Sequence, residues 1–255
     1  MKELAKKIRR RVVDLLYKHK APHLGSCMSC IEILVALYFK VLESGDKFIL
    51  SKGHAAAALY TVLAEKGIIN WRQLYDKYYQ KEYGYWGLAH HTVPGVIFST
   101  GSLGHGLPVA CGMAFAIKQD KKKDKVYCLM SDGEMDCGTT WESALFGAHH
   151  KLDNLVVIVD YNKLQAFGRT NEVLNLEPLV EKWKSFGWAV YELDGHNFNE
   201  LLEVLGKIPI VEDKPHVLIC HTIKGKGISF AEDKMEWHYY NLTPELYEKA
   251  KNDLR

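Results

Sequence analysis

The chain has no long apolar run and no excess of charge of one sign. No eighteen consecutive apolar residues occur among its 255 residues, so no membrane-spanning helix is predicted. Its 33 Lys and Arg residues nearly balance its 31 Asp and Glu residues, for a net charge of +2. This balance argues against nucleic acid or an anionic membrane as the main partner. The basic segment 1–20 lacks the apolar core of a secretory signal, so we expect a cytoplasmic protein.

The cysteines do not form the pattern of a disulfide framework or a zinc site. Several of the six lie in apolar runs, which is typical of buried free thiols in a reducing compartment. Cys27 and Cys30 form one C-x-x-C, but no second pair and no suitably spaced His pair completes a zinc site. Zinc binding and a redox role for this pair are therefore both disfavoured.

What the chain does contain is an alternation of strand and helix patterns. Apolar runs predict strands, buried on both faces, at 47–50, 126–131, 155–161, 188–193 and 216–222. Helical patterns cover 1–20, 30–42, 54–66, 107–118, 139–151, 176–186 and 199–205, and a last helix follows Thr243-Pro244. In the first helix, Lys6, Lys7, Arg9 and Arg10 are expected on a solvated face. The alternation predicts a doubly wound α/β fold, with a mainly parallel sheet flanked by helices.

Polar turns follow two predicted strands, at the edge where ligands collect in open α/β sheets. Asp132 and Gly133 follow the second strand, and Asn162 follows the third. The oxygens of Asp132 and Asn162, with the backbone carbonyl of Leu164, are suitable ligands for a Mg²⁺-like ion. Gly133 would let the backbone approach a phosphate. Each turn alone is more often just a turn, but the combination predicts a site for a cofactor diphosphate held through a metal ion.

Seven ordered segments resemble the thiamine-diphosphate enzymes, and the transketolase group in particular. They are KAPHLGSCMS at 20–29, SKGH at 51–54, STGSLGHGLP at 99–108, the interval from Asp132 to Asn162, DGH at 194–196, TIKGKGISF at 222–230 and WH at 237–238. The resemblance covers nearly the whole chain. It implies thiamine diphosphate and Mg²⁺, or Ca²⁺ or Mn²⁺, as cofactors. It also implies a transferase that moves a two-carbon ketol unit from a ketose or ketose phosphate to an aldose-type acceptor.

The same resemblance assigns roles to particular residues. It implies metal ligation by Asp132, Asn162 and Leu164. Catalytic roles are implied for His23, His54, His91 and His238, although His90 competes with His91 because the loop 88–96 is shortened. Cofactor contacts are implied for His54, Gly101, Ser102, Leu103, His105, Asp132, Gly133, Asn162 and His238.

Several residues in and beside the loops leave alternatives or depart from known patterns. Lys224 and Lys226 either face phosphate or substrate or lie in a solvated loop. Cys137 stands where the family has an acidic residue, and Ser131 replaces the first Gly of its G-D-G motif. The loop 101–104 lacks the G-x-G-x-x-G spacing of a nicotinamide-binding turn, which disfavours an oxidoreductase.

The resemblance ends at Arg255, whereas a full transketolase continues with a pyrimidine-binding domain and a C-terminal domain. Residues 1–255 are therefore expected to form a single diphosphate-binding domain, inactive without a partner. A C-terminal transketolase subunit would supply the pyrimidine-binding domain and the Glu that activates thiamine, with a dimer of heterodimers as the default assembly. The alternatives are a subunit of another thiamine-diphosphate carboligase or dehydrogenase, and a non-catalytic homologue.

Overall fold

Five strands form one sheet in the computed structural model, which describes residues 1–255 apart from the side chain of Lys81. They are β1 (Lys47–Leu50), β2 (Val126–Ser131), β3 (Leu155–Tyr161), β4 (Ala189–Asp194) and β5 (His216–His221). The strands lie in the order β1-β2-β3-β5-β4, and each of these neighbouring pairs is parallel. The parallel α/β fold predicted from the sequence is confirmed, with strand bounds that differ by no more than one residue.

Helices connect the strands and cover both faces of the sheet. They are α1 (Lys2–His19), α2 (Leu24–Ser29), α3 (Ile31–Ala36), α4 (Ala56–Glu65), α5 (Trp71–Lys77), α6 (Gly106–Gln119), α7 (Gly138–His149), α8 (Thr170–Val173), α9 (Leu179–Ser185), α10 (Phe198–Leu205) and α11 (Pro244–Asp253). Short 3₁₀ turns lie at Gly53–Ala55, Lys81–Tyr83, Asp132–Asp136 and Met235–His238. Among the described residues, no helix is long and apolar enough to cross a membrane.

Alternate side chains of the central strands enter two separate apolar cores. In β2, Tyr127 and Leu129 belong to one core, and Cys128 and Met130 belong to the other. Helices α1 to α5, α10 and α11 contribute to the first core, and α6, α7 and α9 contribute to the second. Because both faces are covered, β2 and β3 are buried along their whole lengths, which explains their continuous apolar sequence.

The prediction that every strand is buried on both faces is wrong for β4. This strand lies at the edge of the sheet and pairs only with β5 in the described sheet. Val190 and Tyr191 are half-buried, and Glu192 is exposed. The strand at the other edge, β1, is buried at residues 48–50. A short apolar run therefore does not reveal which edge strand is left partly exposed to solvent.

The prediction that Arg9 lies on a solvated face is also wrong. Arg9 is 6% exposed, and its Nη1 lies 2.6 Å from Oε1 of Glu32. Helical periodicity separates apolar from polar positions, but it does not show that another helix supplies a buried partner for one of the polar ones.

Two helices differ from their predicted bounds by more than two residues. The helix predicted at 30–42 begins earlier, at Leu24, is interrupted at Cys30, and ends in a π-helical turn at Leu37–Val41. The helix predicted at 176–186 starts only at Leu179, because Pro178 disfavours a helical conformation in the residue before it.

Candidate functional site

A cavity of about 340 Å³ lies where β2 and β3 end. Its lining brings together residues from six of the seven segments singled out in the sequence. The predicted site residues in this lining are His23, His54, Gly101, Leu103, Asp132, Gly133, Asn162, Leu164 and His238. Lys52, Lys224 and Gln165 line the same cavity.

The remaining predicted residues lie outside this lining. Ser102 and His105 are exposed, and His105 is the N-cap of α6. His91 is exposed, and its Nδ1 lies 2.8 Å from Oγ of Ser99. His90, and not His91, is among the described residues that line a second cavity, which adjoins the first.

Hydrogen bonds from backbone amides hold the two side chains among the predicted metal ligands. The carboxylate of Asp132, which is 2% exposed, accepts hydrogen bonds from the backbone amides of Gly133 (2.8 Å) and Lys163 (2.7 Å). Oδ1 of Asn162 accepts one from the amide of Leu164 at 3.2 Å. Lys163 has a φ of 63°, which is rare for a residue with a side chain. This turn brings Asn162 and Leu164 to the same cavity as Asp132.

The chemistry of these ligands fits a divalent metal that is completed by phosphate. Burial, with repulsion from Asp160, raises the pKa of Asp132 to about 6. A buried carboxylate that is costly to ionise is stabilised by a cation beside it. No cluster of three or more His, Cys, Asp or Glu residues suited to a metal occurs among the described residues. Mg²⁺ takes few protein oxygens and obtains the rest from phosphate and water, so Asp132, Asn162 and Leu164 suffice.

The space beside the Cα of Gly133 is part of the cavity and is not filled by other protein atoms. A Cβ at Gly133 would come no closer than 3.5 Å to another protein atom, the Cγ of Gln165. The fold itself therefore tolerates a side chain at this position. A requirement for glycine would come from a ligand that lies against the backbone.

Three histidine rings form a triangle at one side of the cavity. The ring centroids of His23 and His54 are 5.6 Å apart, and each lies 5.2 Å from that of His238. Burial, with the nearby charge of Lys224, lowers the pKa of His23 to about 4 and that of His238 to about 3. Burial and Lys52 hold the pKa of His54 well below its usual value. All three rings are therefore neutral at pH 7 and able both to donate and to accept a hydrogen bond.

The backbone at His23 is strained. Its φ of 74° is in the left-handed region, and its N–H donates to the carbonyl of His238 at 3.1 Å. Such conformations in residues other than glycine cluster at functional sites. The bond also ties the segment before α2 to the Met235–His238 turn.

Lys224 provides a buried positive charge in the cavity wall. It is 2% exposed, and its Nζ donates to the carbonyl of Leu164 at 2.9 Å and lies 3.2 Å from Nδ1 of His238. Burial lowers the pKa of Lys224 to about 8. Lys226 is half-buried, outside the lining, and 3.6 Å from Glu232. The two lysines, which the sequence could not separate, thus have different positions.

Sequence reasoning missed two buried charged residues that join the site turns. Glu134 accepts hydrogen bonds from the amides of Ser131 (2.8 Å) and Gly104 (3.1 Å). Lys52 pairs with Asp160 and donates to the carbonyl of Ser26 at 3.1 Å. The Ser131-x-x-Glu134 capping box was a readable signal for Glu134. Lys52 had no signal beyond its place in the SKGH segment.

Residues 1–254 match the family model described as transketolase, thiamine diphosphate binding domain. The chain belongs to this family. The resemblance inferred from its motifs is thereby confirmed, as is the fold that the transketolase resemblance implied.

Two relatives are 43% identical to the chain, and each is named as one subunit of an apulose-4-phosphate transketolase. The relative from Phocaeicola vulgatus is matched over 96% of this chain and 90% of its own length, and that from Actinobacillus succinogenes over 100% and 96%. The solved transketolase of Campylobacter jejuni superposes with a TM-score of 0.92 at 27% identity, covering 98% of this chain but 42% of that one. The chain thus spans about two fifths of the length of that solved transketolase.

Proposed function

We propose that the chain is the diphosphate-binding subunit of a two-subunit transketolase that transfers a two-carbon ketol unit from a ketose or ketose phosphate to an aldose-type acceptor. The convergence of oxygen ligands, a buried lysine and three neutral histidines in one cavity supports this function. The names of the two apulose-4-phosphate transketolase relatives support a sugar phosphate as substrate.

The cofactor proposed for this cavity is thiamine diphosphate with Mg²⁺, or with Ca²⁺ or Mn²⁺. When bound, its thiazolium ring supplies the electron sink for cleavage of the ketose C–C bond. Asp132, Asn162 and the carbonyl of Leu164 would hold the metal, Lys224 would face the diphosphate, and Gly133 would leave room for it. Gly101 and Leu103 line the same cavity and would contact the cofactor.

His23, His54 and His238 are proposed to handle the protons of the reaction. A neutral imidazole accepts a proton from a substrate hydroxyl and, in its other tautomer, donates a hydrogen bond to an oxygen that gains negative charge. Nδ1 of His238 faces the ammonium of Lys224, so the proton of the neutral His238 ring is on Nε2. The ring is thereby oriented to donate from Nε2.

The second cavity is proposed to receive the carbon chain of the sugar. It has a volume of about 570 Å³ and shares His23 and Leu88 with the cofactor cavity. Trp86 and His90 line it, with their ring centroids 5.1 Å apart. An aromatic wall suits the C–H face of a sugar, and His90 would take the role that the resemblance gave to His91.

A partner chain is proposed to complete the active site. Residues 1–255 would form the diphosphate-binding domain, and the partner would supply the pyrimidine-binding domain and the Glu that activates thiamine. Ser102 and His105 are exposed beside the cavity and would contact the cofactor where the partner covers it. Closed symmetry makes a dimer of heterodimers the expected assembly.

Calorimetric titration of thiamine diphosphate, with and without Mg²⁺, tests the cofactor site. We expect metal-dependent binding that Asp132→Ala weakens by at least about 100-fold, because the variant loses the one carboxylate ligand. Asp120→Ala is the matched control, since Asp120 is exposed at the end of α6 and pairs only with Lys122 among the described residues. The titrations are run with the chain alone and with the partner subunit. Equal affinity in wild type and Asp132→Ala would refute the metal site.

A further inference from the structure

His196 belongs to the DGH segment, which has no role in the proposed function, and it contacts the TIKGKGISF segment that carries Lys224. The amide of Ile223, in the TIKGKGISF segment, donates to Nε2 of His196 at 2.9 Å. Because Nε2 accepts this bond, the proton of the neutral ring is on Nδ1. Nδ1 lies 3.0 Å from Oε2 of Glu32 and donates to it.

Arg9 holds the other end of the same segment. Its Nη1 and Nη2 donate to the two carboxylate oxygens of Glu32, at 2.6 and 2.7 Å. Its Nε donates to the carbonyl of Lys226 at 3.0 Å. Both ends of the segment from Ile223 to Lys226 are therefore linked to the carboxylate of Glu32, one end through His196 and the other through Arg9. Lys224 lies between these two links.

The charged groups of this network are buried and have hydrogen-bond partners. Arg9 is 6% exposed and Glu32 is 8% exposed. The hydrogen bonds from Arg9 and His196 lower the pKa of Glu32 to about 2, against the effect of its burial. Buried ion pairs add little net stability compared with apolar side chains of similar size, so their value often lies in fixing one geometry. Here the fixed geometry is that of the segment that carries Lys224.

We propose that His196 is a positioning residue for the cofactor site, which together with Glu32 and Arg9 fixes the segment 223–226 so that Lys224 points at the carbonyl of Leu164. His196 is not among the described residues that line the cavity, so it acts through Lys224. The identity of the ligand rests on the proposed function. The position of Lys224 does not depend on it.

The first readout is the exposure of Lys224, measured by acylation with an amine-reactive reagent and peptide mass spectrometry. Lys52 is the internal reference, because it is 1% exposed and lines the same cavity. In wild type both lysines should be protected. In His196→Ala, we expect Lys224 to be labelled about tenfold faster relative to Lys52, as the loss of a buried hydrogen bond allows. His196→Gln keeps a donor and an acceptor and should restore most of the protection.

The second readout is the affinity for thiamine diphosphate with Mg²⁺, measured on the same variants in the presence of the partner subunit. We expect about tenfold weaker binding in His196→Ala and near wild-type binding in His196→Gln. His221→Ala is the matched control. His221 also pairs with a glutamate, at 2.9 Å from Glu192, but its side chain is 42% exposed and it is not among the described residues that line the cavity.

Two outcomes in His196→Ala would overturn the proposal. One is an unchanged ratio of Lys224 to Lys52 labelling together with an unchanged affinity for thiamine diphosphate. The other is equal labelling of both lysines, which would indicate a general loosening of the structure. Failure of the wild type to bind thiamine diphosphate would instead count against the proposed function and leave the labelling result standing. If His196→Ala does not fold, Arg9→Lys gives the same test. It keeps the charge beside Glu32 but lacks the Nε donor to Lys226.

Discussion

Single residues in the cofactor cavity owe their chemistry to burial. Burial lowers the pKa of Lys224 to about 8 and that of His23 to about 4, and it raises that of Asp132 to about 6. Each shift reduces the cost of keeping the group uncharged. The cavity therefore concentrates groups whose ionisation is sensitive to a bound ion.

The pH dependence of stability should report the neutral state of His23. Its pKa is about 4 in the folded chain and 6.5 in the reference state, so between these pH values the unfolded chain binds more protons. The free energy of unfolding contributed by His23 is thus fully present above pH 6.5 and is lost as the pH falls towards 4. His23→Gln should reduce this slope by up to about 1.4 kcal/mol per pH unit, measured by urea unfolding.

His149→Gln is the control for this measurement, because His149 is exposed. Asp132 has a raised pKa and acts in the opposite direction over part of the same range, but it is present in both proteins, so the difference isolates His23. An identical slope in wild type and His23→Gln would show that His23 is not held neutral in the folded state.

The candidate site was predictable where a residue type and its place at a strand end point to the same chemistry. Asp132 and Asn162 meet that condition, and both line the cavity. Lys224 and Lys226 do not, because they lie in one irregular loop where no periodicity distinguishes a buried from an exposed side chain. The same holds for His90 and His91, whose rings stack 4.6 Å apart although one is half-buried and the other is exposed.

At the scale of elements, the turn after β1 lies against the loop before α6. Oγ1 of Thr100 donates to the carbonyl of Leu50 at 2.6 Å. A Cβ added at Gly53 would come within 2.5 Å of the carbonyl oxygen of Thr100. A second such contact joins the loop to the start of α7, since a Cβ at Gly104 would lie 2.6 Å from the Cβ of Cys137, the N-cap of α7. These approaches place the SKGH and glycine-rich segments at one cavity.

Gly53→Ala should therefore disturb the site as well as the fold. The methyl group would meet backbone, which cannot move aside alone, so the turn that carries His54 must shift. We expect a decrease of about 1–3 kcal/mol in the free energy of unfolding and weaker thiamine diphosphate binding. Denaturant unfolding and calorimetry measure the two effects.

Gly112→Ala provides the comparison within α6. No atom lies within 4 Å of a Cβ at this position, so the change should raise stability by up to about 1 kcal/mol through helix propensity. It should leave cofactor affinity unchanged. A Gly53→Ala protein with the stability and affinity of Gly112→Ala would contradict the close approach at Thr100.

At the scale of the whole molecule, the alternation of strand and helix patterns was enough to predict the class of fold but not the order of the strands. β5 lies between β3 and β4, and nothing in the apolar runs distinguishes that order from a sequential one. The packing of α1 against α11 could not be predicted for the same reason. The rings of Tyr17 and Tyr247 stack there with their centroids 4.0 Å apart. Contacts between distant segments depend on the complete arrangement, which local patterns do not encode.

Catalysis should require the partner subunit. The purified chain should show no ketol transfer, and activity should appear on titration with the partner and saturate at one partner per chain. Spectrophotometric ketol-transfer assays measure this, with Asp132→Ala plus partner as the inactive control. Equal rates for the chain alone and for the pair would contradict the two-subunit proposal.

The hydrogen bond between the amide of His23 and the carbonyl of His238 joins two segments that are far apart in the sequence. Contacts so far apart in sequence form late in folding, because the chain between them must first be ordered. During synthesis, a ribosome-bound chain that has not reached residue 238 lacks the third histidine, and one that has not reached residue 224 lacks the buried lysine as well. Cofactor capture would then require a chain synthesised past residue 238, and thiamine diphosphate would stabilise the assembled site and would not act as a template for its folding.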